Sequence, residues 1–137
     1  WARTFSASQS VAARNVREHD IEELHHHAAE MRAAAAREDN IAYLRADMAF
    51  HQKIWQIAGN EQLIPILEAV VVPLLACATE NWRRTAAEIE SSAGTHALLA
   101  DSLRKGPAPA RRAMRKHIER FFRTYLSRTL HLGANEI

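Results

Sequence analysis

An all-α antiparallel bundle of about six helices is the fold this sequence predicts, on three observations. Gly and Pro number only four each in 137 residues, too few for the many tight turns of a β-sandwich. Ala and Arg, both strong helix formers, dominate the chain. Apolar residues recur at three- and four-residue spacing in segments joined by short connections, which makes successive helices antiparallel neighbours. The apolar share of 47% excludes a disordered chain, and the length suits one domain.

Residues 1–11 lack a period and are rich in Ser and Thr, so they read as an irregular lead-in, with a short helix over Ser10–Val16. The bundle is expected over residues 12–133. Asp20 followed by Glu23 has capping-box spacing and opens a helix to about Arg37. Asn40 caps the next, Ile41 to Ala58, which ends at Gly59. Asn60 caps a helix from Glu61 to about Trp82, with Pro65 in its first turn and Pro73 placed to kink or split it. A helix over Thr85–Lys105 is stopped by Gly106-Pro107, and the last runs from Ala108 to Leu132 with Gly133 as terminator.

Several function classes drop out. The single cysteine, Cys77, allows neither a disulfide framework nor a CxxC zinc site within one chain; it reads as a buried small hydrophobe in a reducing compartment. The apolar run Ala69–Ala78 is about half a membrane span and contains Pro73, and no signal stretch opens the chain, so a cytoplasmic protein without membrane contact is expected. Residues 1–70 carry 10 acidic and 7 basic side chains, a net −3, and residues 71–137 carry 6 and 11, a net +5. That asymmetry reads as an arginine-solvated helix face rather than a nucleic-acid surface.

The informative residues are polar ones inside apolar stripes. The Ile41 helix has a stripe of Leu44, Asp47, Met48, His51, Ile54, Trp55 and Ala58, with Asp47 and His51 one turn apart on it. The next-to-last helix carries Ile89, Ala93, His96, Leu99, Ala100 and Leu103; the last carries Ala110, Ala113, Met114, His117, Phe121 and Tyr125. A single inward histidine has a plain alternative, a hydrogen-bonded core residue. A buried carboxylate needs an opposite charge, however, and one Asp with three His converging in a bundle suits a divalent metal. Zinc fits first, with nickel, manganese and iron open as alternatives. His25, His26 and His27 are consecutive and fan around a helix, so they read as a solvated face, while His19 and His131 lie near helix ends.

The stretch DMAFHQKIWQIAGNEQL, Asp47–Leu63, resembles the D-x-x-F-H-x-x-[ILV]-x-x-x-[AS]-x-N motif of the FadR-type C-terminal ligand-binding (FCD) domain of GntR-family transcriptional regulators. Thr95–Leu103 (THALLADSL) and Ala110–Phe121 (ARRAMRKHIERF) resemble that family's later H-x-x-[IL]-x-x-[AS]-[IL] and A-x-x-A-M-x-x-H-[IL] blocks. The resemblance runs from about Ala12 to Tyr125. It implies an antiparallel bundle with a divalent metal on Asp47, His51, His96 and His117, the residues the stripes select independently. It further implies a small carboxylate effector beside the metal, a homodimer, and DNA contact only through an N-terminal winged helix-turn-helix domain absent from this chain. The sequence departs from the family in three places. Nothing before Ala12 matches the family's Y-E-x-R segment, Thr95 replaces a frequent acidic residue, and Gly106-Pro107 replaces Gly-Asp.

A sensor is therefore expected rather than an enzyme. The competing functions are a metal-dependent hydrolase and a purely structural helical dimerisation domain. A hydrolase needs a general base near the metal-bound water, and Glu68 alone among the glutamates falls away from polar faces and helix ends. Arg83 and Arg84 follow Trp82 near a helix end and are candidates to clamp the effector carboxylate.

Overall fold

A computed structural model describes residues 2–59, 62–80 and 86–123, with the side chains of all but 2–6, 63, 74–80 and 86–90. The described residues form six helices and no strand: α1 (Ala2–Asn15), α2 (Glu18–Ala36), α3 (Asn40–Ala58), α4 (Leu63–Glu80), α5 (Ala86–Arg104) and α6 (Pro107–Phe121). None is long and apolar enough to cross a membrane.

Side-chain pairs fix the antiparallel arrangement. Lys53, late in α3, reaches Asp20 and Glu23, early in α2. Arg104 at the end of α5 reaches Glu18 at the start of α2, and Arg120 late in α6 reaches Ser91 in the first half of α5. Helix α1 packs against α3, α5 and α6, whereas α2 packs against α3 and α5. The main core joins Ile21 and Leu24 of α2, Phe50, Ile54 and Trp55 of α3, Leu99 and Leu103 of α5, and Met114 and Ile118 of α6. Each such side chain, fully buried, contributes about 1.5–3 kcal/mol. Met31, Ala34, Tyr43, Ala46 and Ala93 form a second, smaller cluster toward the start of α3.

Several boundaries differ from the sequence expectation. Residues 2–11 are helical rather than an irregular lead-in, since they belong to α1. Its Ser8, Gln9 and Ala12 are buried, so packing against three other helices supplies what its own composition lacks. Helix α2 starts at Glu18, and Asp20 is its third residue rather than its N-cap. The Asp20 carboxylate still serves the helix start, accepting the Arg17 backbone N–H at 2.9 Å. Asp39, not Asn40, caps α3, accepting from the Ala42 backbone N–H at 2.9 Å. Gly59 ends α3 with φ of 71°, a left-handed conformation that glycine takes without penalty, as expected. Helix α4 runs through Pro73 without splitting: Pro73 and Ala69 are both exposed, so solvent takes the carbonyl that proline leaves without a donor. Pro107 opens α6 one residue early, after Gly106 at φ of 95°. The Asn60 cap, the side chain of Cys77, and the expected end of the last helix at Leu132–Gly133 lie outside the described residues.

Candidate metal centre

Helices α3, α5 and α6 bring the four sequence-selected residues together. On α3, Asp47 and His51 stand one turn apart, both buried. On α5, His96 is 2% exposed; on α6, His117 is half-buried. The rings of His51 and His96 have centroids 5.5 Å apart, those of His51 and His117 5.4 Å, and those of His96 and His117 4.6 Å. One nitrogen from each of the three rings lies within 4.8 Å of the others. Asp47 Oδ1 lies 2.8 Å from His96 Nε2 and 3.6 Å from His51 Nε2.

Surrounding side chains hold this geometry. His96 Nδ1 lies 2.9 Å from the Ser92 backbone carbonyl one turn earlier. A carbonyl only accepts, so Nδ1 carries the proton, and Nε2 is the nitrogen turned toward Asp47. The Tyr43 hydroxyl donates to Ser92 Oγ at 2.8 Å and ties α3 to α5 beside that anchor. Phe50 sets its ring edge-on to both His51 and His96, with centroids 5.6 Å and 4.9 Å away. Trp55 stacks on His51 at 6.3 Å. Next to His51, Gln52 donates to Glu68 Oε1 at 2.6 Å and pins α3 to α4, which engages Glu68 in a structural bond.

Asp47, His51 and His117 are held in the protonation states a metal requires. Burial pushes the Asp47 carboxyl up, but the proximity of His96, then of His51 and His117, outweighs it and holds the group well below the ordinary carboxylate range. Burial pulls His51 down to about 4, against the attraction of Asp47 and with added repulsion from His96. Burial likewise pulls His117 well below 6.5, reinforced by His96 and His51. At neutral pH Asp47 is therefore a carboxylate and His51 and His117 are neutral imidazoles, the forms that ligate.

One contact is unresolved by protein atoms alone. Asp47 Oδ1 and His96 Nε2 are fully buried and 2.8 Å apart, yet neither makes an aligned hydrogen bond. With Nδ1–H donated to Ser92, a neutral His96 ring would leave Nε2 without a proton and set two acceptors face to face, whereas a cation shared by the two atoms satisfies both. The Nδ1–H bond to a backbone carbonyl is the usual support of a metal-ligating histidine. Two ligands each about 2.1 Å from one ion are at most about 4.2 Å apart, so the rings need only a small inward adjustment. The donor set of one carboxylate oxygen and three imidazole nitrogens fits a divalent metal.

The other predicted candidates fall elsewhere. Arg83 and Arg84, with His131 and Tyr125, lie outside the described residues. His26 is exposed and His27 half-buried, both beside Glu30, and His25 meets Asp101 across to α5, so none joins the cluster. Sequence reasoning missed Ser92, Tyr43 and Trp55 as supports. Trp55 shares the Asp47–His51 stripe and is visible there, but a backbone carbonyl leaves no mark in a sequence.

The model of one protein family, the FCD domain, matches residues 7–120 of the chain. No curated protein and no solved structure matches it significantly.

Proposed function

Since this chain belongs to the FCD domain family, we propose that Asp47, His51, His96 and His117 hold a divalent metal beside which a small carboxylate effector binds. FCD domains are the effector-sensing, regulatory domains of GntR-type transcriptional regulators, in which a separate domain binds DNA. Zinc is the metal that suits the set best, and the effector biases the DNA affinity of a separate winged-helix domain in a homodimer. The observation that carries the metal is the buried Asp47 Oδ1–His96 Nε2 contact at 2.8 Å, which no protein donor satisfies.

When bound, the ion supplies fixed positive charge and open coordination positions to which a carboxylate is drawn. The chain's own residues do the rest. Ser92 turns His96 so that Nε2 faces inward, Trp55 and Phe50 fix the ring planes, and Asp47 contributes the one negative charge among the four side chains. Half-buried His117 stands on the more accessible side of the cluster.

The test is metal content beside thermal stability. Wild-type protein dialysed against zinc is expected to retain about one ion per chain, and His96→Ala far less. Ligand binding to the native state adds RT ln(1 + [L]/Kd), about 2.7 kcal/mol at a hundredfold excess over Kd, which is several degrees in Tm at this size. Wild-type protein that retains no metal and melts identically with zinc and with chelator overturns the proposal.

A further inference from the structure

Helices α3 and α5 carry Asp47, His51 and His96, yet neither is the other's main packing partner: α3 lies against α1, α2 and α4, and α5 against α1, α2 and α6. Polar side chains cross between them at two levels. Asp47 Oδ1 meets His96 Nε2 at 2.8 Å, and the Tyr43 hydroxyl donates to Ser92 Oγ, also at 2.8 Å. Tyr43 lies one turn before Asp47 on α3, and Ser92 lies one turn before His96 on α5. The two contacts are therefore successive rungs between helices that run in the same direction.

Ser92 joins the rungs. Its Oγ accepts from Tyr43, and its backbone carbonyl accepts from His96 Nδ1 at 2.9 Å. Tyr43 is 3% exposed and packs in the smaller core cluster with Ala46, which precedes Asp47, and Ala93, which follows Ser92. Both alanines are short, so the tyrosine spans the separation of the two helices at this level. Its ring is fixed by burial, and its hydroxyl takes the hydrogen-bond partner that a buried tyrosine needs.

The geometry points to Tyr43 as a positioning residue of the metal centre: through Ser92 it holds α5 at the separation and rotation in which His96 shares an ion with Asp47. This rests on the metal centre proposed above. Two ligands about 2.1 Å from one ion, at angles of about 90–109°, stand about 3.0–3.4 Å apart. An ion thus parts Oδ1 and Nε2 only slightly from their present 2.8 Å, and a site with so little slack depends on the separation of α3 and α5. The main core takes Leu99 and Leu103 from farther along α5, so loss of the Tyr43 rung acts on the ligand geometry before it acts on the fold.

Zinc affinity measured against a competing chelator decides the matter. Tyr43→Phe keeps the ring and removes only the hydroxyl, and is expected to weaken zinc by roughly tenfold or more, the scale of losing an outer support of a metal ligand. Ser92→Ala removes the same bond from the other side and keeps the carbonyl, so it should cost the same factor, and the double variant no more than either. Asn15→Ala deletes a different helix-bridging bond, from Asn15 Nδ2 to the Ile57 carbonyl at 3.1 Å, and should leave zinc affinity unchanged. In cobalt-loaded protein the visible absorption should shift in Tyr43→Phe and stay put in Asn15→Ala. Tyr43→Phe that binds zinc as wild type does overturns the role of Tyr43 and leaves the metal centre standing. Equal losses in Tyr43→Phe and Asn15→Ala, or losses of Tyr43→Phe and Ser92→Ala that add in the double variant, overturn it too. Wild type that takes up no zinc overturns the metal centre and this role with it.

Discussion

Replacing Asp47 with Asn separates a metal ligand from a structural ion-pair partner, because the two roles give opposite signs in metal-free protein. Asn has the shape of Asp but carries an amide donor. If the space between Asp47 and His96 belongs to a metal and His96 is neutral without it, the metal-free wild type has a buried Oδ1 facing the Nε2 lone pair at 2.8 Å. The amide introduced by Asp47→Asn would instead donate to that lone pair, relieving an unsatisfied buried polar atom that costs about 1–3 kcal/mol. Asp47→Asn should therefore melt several degrees above wild type in chelator. In zinc the order should reverse, since the variant has lost its one anionic ligand and with it most of the stabilisation that ligand binding confers. If His96 is instead a permanent imidazolium paired with Asp47, removing the carboxylate strands a buried cation at a cost of about 3–5 kcal/mol. Scanning calorimetry of both proteins in chelator and in zinc tells the two apart. A large destabilisation by Asp47→Asn in chelator, together with zinc retention equal to that of wild type, would refute the metal-ligand role.

Metal-free protein should lose stability as pH falls from about 6.5 toward 4, because the unfolded chain protonates His51 at its ordinary value while the folded one resists until about 4. The stability is fully present above the unfolded value; His51 alone accounts for about 3 kcal/mol across the window at 1.36 kcal/mol per pH unit. His117 adds in the same direction, and urea titrations in chelator that stay level from pH 6.5 to 4.5 would contradict it. Trp55→Ala removes a side chain that is 1% exposed and stacked on His51, so it should cost about 3–5 kcal/mol in urea unfolding and weaken zinc retention as well. Glu38 sits at φ of 57° between α2 and α3, a strained conformation for a side chain with a Cβ, so Glu38→Gly should raise the melting temperature, by about 1 kcal/mol of added stability.

The candidate ligands were legible because polar residues in apolar stripes are expensive. Asp47, His51, His96 and His117 each occupy a position whose helical neighbours are core residues, and no local role such as capping explains them. The stripes themselves were less exact than the residues they picked out. On α3 the expected stripe includes Leu44, Met48 and Ala58, all half-buried, while Tyr43, Ala46 and Phe50 are buried outside it. The cause is packing: α3 is covered by α1, α2 and α4, so its buried arc is wider than one face and periodicity alone misplaces its centre.

What stayed hidden was whatever depends on partners distant in the chain. Asp20 looks like an N-cap by its spacing to Glu23, yet the helix starts at Glu18, and the carboxylate both accepts from Arg17 N and pairs with Lys53 of α3. Arg120 reads as one more solvated arginine, since its contacts Ser91 and Thr95 are neutral residues of another helix. Helix α1 is the plainest case. Its Ser-rich opening has weak helical preference, and isolated helices of its 14 residues are marginal in water. Burial of Ser8, Gln9 and Ala12 against the three helices that carry Asp47, His51, His96 and His117 decides the conformation instead. The buried Gln9 amide reaches the Leu99 carbonyl at 3.4 Å, one turn beyond His96. The segment whose own composition says least about its conformation thus backs all three helices of the candidate site. Any adjustment in their spacing is therefore made against α1.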